Sequence, residues 1–136
     1  MIPAGALRNL RLPLVFTLAL AVPGSTSGSE RLLSFEVRIA CQEAIERVYY
    51  SHQIGATRPF EDAVPREVLE RKVRTSLLQS VALEQWWKTP LTAASLEREL
   101  ERIAGNTRLP ERLLEVYRAL GRDSVLIQEC LARPVL

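Results

Sequence analysis

The stretch 65–87, PREVLERKVRTSLLQSVALEQWW, carries the longest helical periodicity in the chain. Its apolar residues step by four, which places them on one face of a helix. They are Leu69, Val73, Leu77 and Val81. Pro65 suits the first turn of this helix, because the N–H that proline lacks would be unpaired there. The helix is predicted to end near Trp87, since the residue before Pro90 avoids helical backbone.

The segment upstream, from Ser34 to Ser51, predicts a second amphipathic helix. Apolar residues recur along it at the spacing of a single helical face. They are Val37, Cys41, Ala44, Ile45 and Val48. The two arginines Arg38 and Arg47 fall off this face. The stretch from Gln53 to Val64 is predicted to be a loop, because glycine and proline interrupt it.

Three shorter helices are predicted downstream, at about 92–105, 110–120 and 123–133. Thr92 and Asp123 are placed to accept hydrogen bonds from the first free N–H groups of their helices. Gly105 with Asn106, and Gly121, suit helix ends because they tolerate left-handed backbone. No segment alternates apolar and polar residues as a half-buried strand would. The sequence therefore predicts an all-α fold of about five helices.

The first 28 residues are predicted to be a secretory signal peptide. Arg8 and Arg11 precede an apolar run, Leu12 to Val22, and small residues follow it; this order is typical of an export signal. The run is shorter than the roughly 20 residues that span a bilayer, which disfavours the alternative of an uncleaved anchor. Cleavage between Gly24 and Gly28 would leave one domain, 29–136, in the periplasm or outside the cell, with no remaining membrane contact.

Composition excludes several classes of protein. The chain of 136 residues has 18 basic and 16 acidic side chains, and its net charge of +2 comes from the first segment. The rest is neutral, which argues against nucleic acid as a partner, because phosphate binding needs a basic excess. The lone histidine, His52, suits a helix C-terminus, and no nucleophile or metal motif accompanies it. No catalytic residues, metal or cofactor are predicted.

The C-terminal half resembles a known family of export chaperones. Three stretches carry the resemblance: PLTAASLERELERIA at 90–104, LPERLLEVYRALGRDSVLIQECLA at 109–132, and LEQWW at 83–87 just before Pro90. Their helix lengths, caps and apolar positions resemble the N-terminal helical domain of SurA-type periplasmic chaperones and parvulin-type peptidyl-prolyl isomerases. The resemblance covers about Pro65 to Pro134 and includes no catalytic motif.

The resemblance implies a domain that cradles extended, unfolded segments of exported proteins. In the family an isomerase domain usually follows, and it would need on the order of 100 further residues. Isomerase activity is therefore expected only if a longer parent chain carries that domain. The apolar end, Val135-Leu136, is consistent with such a fragment; the alternative is that these two residues dock on the core.

Five residues are predicted to line a client groove: Tyr50, Leu78, Leu83, Trp86 and Trp87. Aromatic side chains supply a large contact area at a small cost in entropy. The alternative for the tryptophans is that one fills the core and the other packs under the turn at Lys88. Tyr50 is expected to be more exposed than Tyr49, because it leaves the apolar face of its helix.

Cys41 and Cys130 each lie on the apolar face of a predicted helix. An oxidising compartment permits a disulfide between them if the two helices pack together. The alternative is two buried free thiols that act as small apolar side chains.

The function predicted from these features is that of an exported chaperone-like module for unfolded polypeptides. The alternative is a structural adaptor that docks one partner protein. A third possibility is a small exported enzyme that binds a dicarboxylate through Arg38 and Arg47, although neither arginine is predicted to point inward.

Overall fold

Helices follow one another along residues 32–136, the part of the chain that this computed structural model describes. They are α1 (Phe35–Ser51), α2 (Phe60–Ala63), α3 (Arg66–Gln85), α4 (Ala93–Asn106), α5 (Pro110–Ala119) and α6 (Ser124–Ile127). This range contains no strand, which confirms the predicted all-α fold of about five main helices. Among these helices, none combines the length and apolar character that crossing a membrane requires. The predicted signal peptide, 1–28, lies outside the described residues.

Helix α1 lies between two apolar clusters. Ile39 packs against Leu69 and Val73 of α3. Residues 39 and 41 are about 200° apart on a helix, so Cys41 points the opposite way. The cluster on that side joins α1 to α5, to α6 and to the residues that follow α6. Its buried members are Cys41, Ile45, Val116, Leu120, Ile127 and Cys130.

The predicted apolar face of α1 is therefore only partly right. Ile39 is 1% exposed although it was not counted in that face, whereas Val37 was counted and is 40% exposed. A helix that is buried on two sides has no single apolar face, so the spacing of its apolar residues does not show which of them are buried.

Only the first half of α3 is covered by the core. Leu69 and Val73 are buried, but Val81 and the neighbouring Leu78 are exposed. The helix has 20 residues and is about 30 Å long. Its packing partners are α1 and the last turn of the chain, and they leave the outer side of its second half uncovered.

Most predicted helix ends are confirmed. Thr92 accepts a hydrogen bond from the Ser95 N–H, and the Ser95 hydroxyl accepts one from the Thr92 N–H. Asp123 accepts from the N–H groups of the next helix, and Gly121 is left-handed at φ +65°. The expected left-handed end at Gly105 and Asn106 is wrong, because both residues belong to α4 and the residue that caps it, Thr107, is in extended backbone.

The predicted loop at 53–64 is wrong in one respect, because it contains the single turn α2. Phe60 opens that turn and is buried. The rings of Tyr50 and Phe60 form a T-shaped pair with 5.6 Å between their centroids. The Arg47 guanidinium lies over the Phe60 ring, 4.3 Å from its centroid. This aromatic contact holds the segment against the end of α1.

The last helix widens before it ends. After α6 the backbone continues as a π-helical turn, Gln128–Ala132, and a 3-10 turn, Arg133–Val135. Pro134 has no N–H, and in a regular α-helix its ring would clash with the carbonyl of Cys130. The wider turn avoids that clash. Residues 128–136 are called the C-terminal segment below.

Truncation of Ile39 tests the two-sided burial of α1. Ile39→Ala should lower the free energy of unfolding by about 2–5 kcal/mol, because it opens a cavity between α1 and α3. Val37→Ala is the control and should cost about 0.5 kcal/mol, since half-exposed sites tolerate truncation. Urea unfolding followed by circular dichroism measures both, and a reversed order would contradict the packing described.

Candidate functional site

An open apolar groove lies between the second half of α3 and the C-terminal segment. Its volume is about 370 Å³, at the lower end of the range for ligand pockets. The larger apolar side chains of its walls are Leu83, Trp87, Leu91, Val135 and Leu136. Ser76, Gln79 and Ser80 add neutral polar groups from α3. We call this feature the α3 groove.

The end of α3 directs Trp87 into the groove. The helix stops at Gln85, and Lys88 takes left-handed backbone at φ +55°. The Thr89 N–H then donates to the carbonyl of Leu83, which closes the turn. Trp87 lines the groove as a result, while Trp86 stands beside it, with 6.3 Å between the ring centroids.

Both indole side chains lie largely outside the core. Trp86 is 73% exposed and Trp87 is 67% exposed. The alternative in which one tryptophan fills the core is therefore wrong. Because α3 extends beyond the elements that cover it, no core position is left for either ring.

The groove unites only some of the predicted client-binding residues. Leu83 and Trp87 line it, whereas Leu78 and Trp86 are exposed outside its lining. Tyr50 contributes to a separate polar depression near Gly55.

The expectation that Tyr50 is more exposed than Tyr49 is wrong. Tyr49 is the exposed member of the pair, and Tyr50 is half-buried. The Tyr50 hydroxyl donates to the carbonyl of Arg58, and its ring packs on Phe60. Those two contacts involve the loop after α1, which a search for one helical face does not include.

A second depression continues the groove along α3. It has a volume of about 390 Å³ and shares Ser76, Gln79 and Pro134 with the groove. Arg71 and Lys72 make this end basic. Lys72 pairs with Glu46 at 2.5 Å, while the exposed Arg71 makes no ion pair within residues 32–136. The two depressions form one trough with an apolar end and a basic end.

Part of this trough is not evident from the sequence. Val135 and Leu136 were considered as residues that dock on the core, but both are about half exposed and form the groove wall. Arg71 was not singled out, because an arginine on an exposed helix face carries no signal of its own. The only sequence signal for the wall was the apolar character of the last two residues.

An ion cluster holds the C-terminal segment against α1. Glu129 accepts hydrogen bonds from Arg38 at 2.7 Å and from Arg133 at 2.8 Å. All three side chains are less than 20% exposed. Burial raises the pKa of Glu129, but the hydrogen bonds from Arg133 and Arg38 outweigh it, so the pKa is lowered overall.

The arginines considered for dicarboxylate binding do not converge. Arg38 points inward, contrary to expectation, because the C-terminal segment covers that side of α1 and supplies Glu129 as its partner. Arg47 pairs instead with Glu43 and Glu61 at 2.8 Å each. Each guanidinium therefore already has a carboxylate partner, and no two-arginine site is formed.

Two buried thiols meet behind the ion cluster. Cys41 and Cys130 are buried free cysteines in one apolar cluster, and hydrogen bonding between their thiols has the largest effect on both pKa values. That bond lowers the pKa of Cys41; burial opposes this and the Arg38 guanidinium adds to it. The same bond, together with burial, raises the pKa of Cys130. The two helices pack together, which is the condition for a disulfide between these residues, and the disulfide itself stays a prediction.

His52 lies at the end of α1, as the sequence indicated, and is paired. Its Nε2 lies 2.6 Å from a carboxylate oxygen of Glu115 on α5, and this contact lowers the pKa of Glu115. Within residues 32–136 there is no group of three or more His, Cys, Asp or Glu side chains that could hold a metal ion. The contact joins the ends of two helices.

Comparison with protein-family models, with curated proteins and with solved structures finds no match to this chain.

Neutralising Glu129 tests the ion cluster. At pH 7, Glu129→Gln should lower the free energy of unfolding by about 2–4 kcal/mol, because two largely buried arginines lose their carboxylate. Since the folded-state pKa of Glu129 is lowered, its contribution is complete above the unfolded pKa of about 4.3 and is lost as the pH falls through the folded value.

Chemical unfolding of both proteins between pH 7 and pH 3 measures this effect. The wild type should lose stability on acidification more steeply than the variant. Glu43→Gln is the control, because that carboxylate forms an exposed pair with Arg47 and should contribute about 0.5 kcal/mol. Equal losses for Glu129→Gln and Glu43→Gln would contradict the anchoring role of the cluster.

Proposed function

We propose that the protein is an exported helical module that holds extended segments of unfolded polypeptides in the α3 groove and performs no chemistry on them. The observation that carries this proposal is the exposed groove itself, in which Trp87 and Leu83 face the apolar end of the chain. Apolar surface of this kind on a soluble domain marks a binding site for a protein or ligand.

The composition of the groove favours a polypeptide as its occupant. An extended segment carries apolar side chains together with backbone N–H and C=O groups that need hydrogen-bond partners. The walls supply apolar contact, and the exposed amide of Gln79 can donate and accept hydrogen bonds. Arg133, the one charged residue of the lining, is already paired with Glu129, so the apolar end suits uncharged residues.

The basic end of the trough adds a charge preference. Arg71 and Lys72 lie on α3 beyond Ser76, on the side away from Trp87. A segment that runs along the trough would place apolar side chains near Trp87 and a carboxylate near Arg71. The proposed client is therefore an apolar stretch with an acidic residue close to it in sequence, and its binding should weaken at high salt.

The sequence supports the same proposal independently. The predicted signal peptide would direct the protein to the periplasm or outside the cell, where exported chains arrive unfolded. The resemblance to the N-terminal domain of SurA-type chaperones implies the same activity. Holding acts by mass action, because a bound client is removed from the pool of free unfolded chains that aggregate.

Suppression of aggregation tests the proposal. The purified protein is mixed with a dilute, unfolded outer-membrane protein, and light scattering is followed over time. We expect suppression at near-stoichiometric amounts. Trp87→Ala should weaken client binding about tenfold or more, as loss of a central tryptophan does at interfaces.

Trp86→Ala is the matched control, because Trp86 is equally exposed but does not line the groove. It should change binding less than about threefold, which is under 1 kcal/mol. Equal weakening by both variants would contradict a groove and indicate a diffuse apolar surface. Absence of suppression by the well-folded wild type would instead favour the adaptor that docks one fixed partner.

Arg71→Gln tests the charge preference. With two labelled peptides that share an apolar stretch, only the one with a neighbouring aspartate should lose affinity, by about threefold, in keeping with the strength of an exposed ion pair. Fluorescence anisotropy at low and high salt measures the effect. The same loss for the peptide without an acid would contradict the proposed alignment along the trough.

A further inference from the structure

We propose that Cys41 and Cys130 form an intramolecular disulfide that ties the C-terminal segment to α1 and thereby fixes one wall of the α3 groove. The chain has two cysteines in all. Both are buried in one apolar cluster, and α1 packs against the π-helical turn that carries Cys130. The inference concerns the covalent state of the fold and does not depend on the proposed function.

The surrounding packing makes the pair a preformed cross-linking site. Ile45, Val116 and Ile127 belong to the same buried cluster as the two cysteines, so the helices that carry them are held together by apolar contact. The ion cluster of Arg38, Glu129 and Arg133 fixes the same two elements from the other side. The two cysteines therefore lie on elements that already pack together.

The position of Cys130 links the bond to the groove. Cys130 lies in the π-helical turn, and the backbone continues from it directly to Val135 and Leu136 of the groove wall. The wall is otherwise held by the ion cluster and by the contact of the last turn with α3. A covalent bond at residue 130 restrains the residues that follow.

The reaction is thiol–disulfide exchange with a small-molecule disulfide such as oxidised glutathione. The Cys41 thiolate attacks one sulfur of the reagent, which gives a mixed disulfide and releases one thiolate. Cys130 then loses its proton and attacks the Cys41 sulfur, which releases the second thiolate. The protein gives up two electrons and two protons, and the reagent leaves as two thiols.

The pKa of Cys41 is lowered and that of Cys130 is raised, and this difference suits their two roles in the reaction. The hydrogen bond from Cys130 and the Arg38 guanidinium both favour the thiolate of Cys41, and the thiolate is the attacking species. A cavity of only about 20 Å³, lined by Cys130, Arg38 and Glu129, adjoins the site. It holds no more than a water molecule, so the reagent reaches the thiols through local opening of the C-terminal segment.

The test compares oxidised and reduced forms of the wild-type protein. The protein is equilibrated in glutathione redox buffers, quenched with acid, unfolded and alkylated, and its mass is measured. In oxidising buffer we expect a monomer that has lost two hydrogens and takes up no alkylating reagent. Because the bond closes a loop of about 90 residues, Tm should rise by at least about 10 °C on oxidation.

Hydrogen exchange of the amides of Val135 and Leu136 reports the effect on the wall. Their exchange should slow at least about tenfold in the oxidised protein, while exchange in α4 near its N-terminus stays unchanged. Cys41→Ala and Cys130→Ala are controls that should show neither the mass change nor the shift in Tm. If either control variant fails to fold, the wild-type comparison alone decides the question.

Three results would overturn the inference. One is two alkylatable thiols in the most oxidising buffer, and another is a stable glutathione adduct or disulfide-linked dimer as the final product. The third is a disulfide that forms while exchange at Val135 and Leu136 stays the same, because the bond would then not restrain the groove wall.

Discussion

Burial of α1 on two opposite sides is the constraint on which the rest of the structure depends. Ile39 faces α3, while Cys41 and Ile45 face α5, α6 and the C-terminal segment. A domain of about 105 described residues has room for a modest core, and a central helix lets two small clusters share one scaffold. Helices α3 and α5 and the π-helical turn each pack against α1, and α4 packs against that turn.

This arrangement leaves the second half of α3 exposed, and that half forms one side of the candidate site. Helix α3 is longer than the surface that α1 and the last turn offer it, so its second half and its two tryptophans extend into solvent. The C-terminal segment then lies beside that half of α3 and makes it one wall of a groove. A groove formed in this way needs no dedicated loop, only a mismatch in length between packed elements.

The anchoring of the C-terminal segment is chemically varied. Apolar burial at Cys130 and Ala132 excludes water from its inner side. The Arg38–Glu129–Arg133 cluster orients it, since a largely buried carboxylate needs its charged partners in place. The proposed disulfide would add a covalent restraint at Cys130. These interactions meet on α1, which connects the stability of the core to the shape of the groove.

The sequence by itself determined the five main helices and most of their ends. The caps at Thr92 and Asp123 and the turn at Gly121 follow from hydrogen bonds and backbone preferences that involve only neighbouring residues. Periodicity also predicted the burial of Leu69 and Val73. Only the tertiary structure decided that Ile39 is buried and Val37 exposed, that Arg38 meets Glu129, and that Trp87 faces Leu136. Those outcomes depend on which helix lies on which side of α1. They therefore depend on contacts between residues that are up to 91 positions apart in the sequence. A pattern read along one helix contains no information about the partner that covers it.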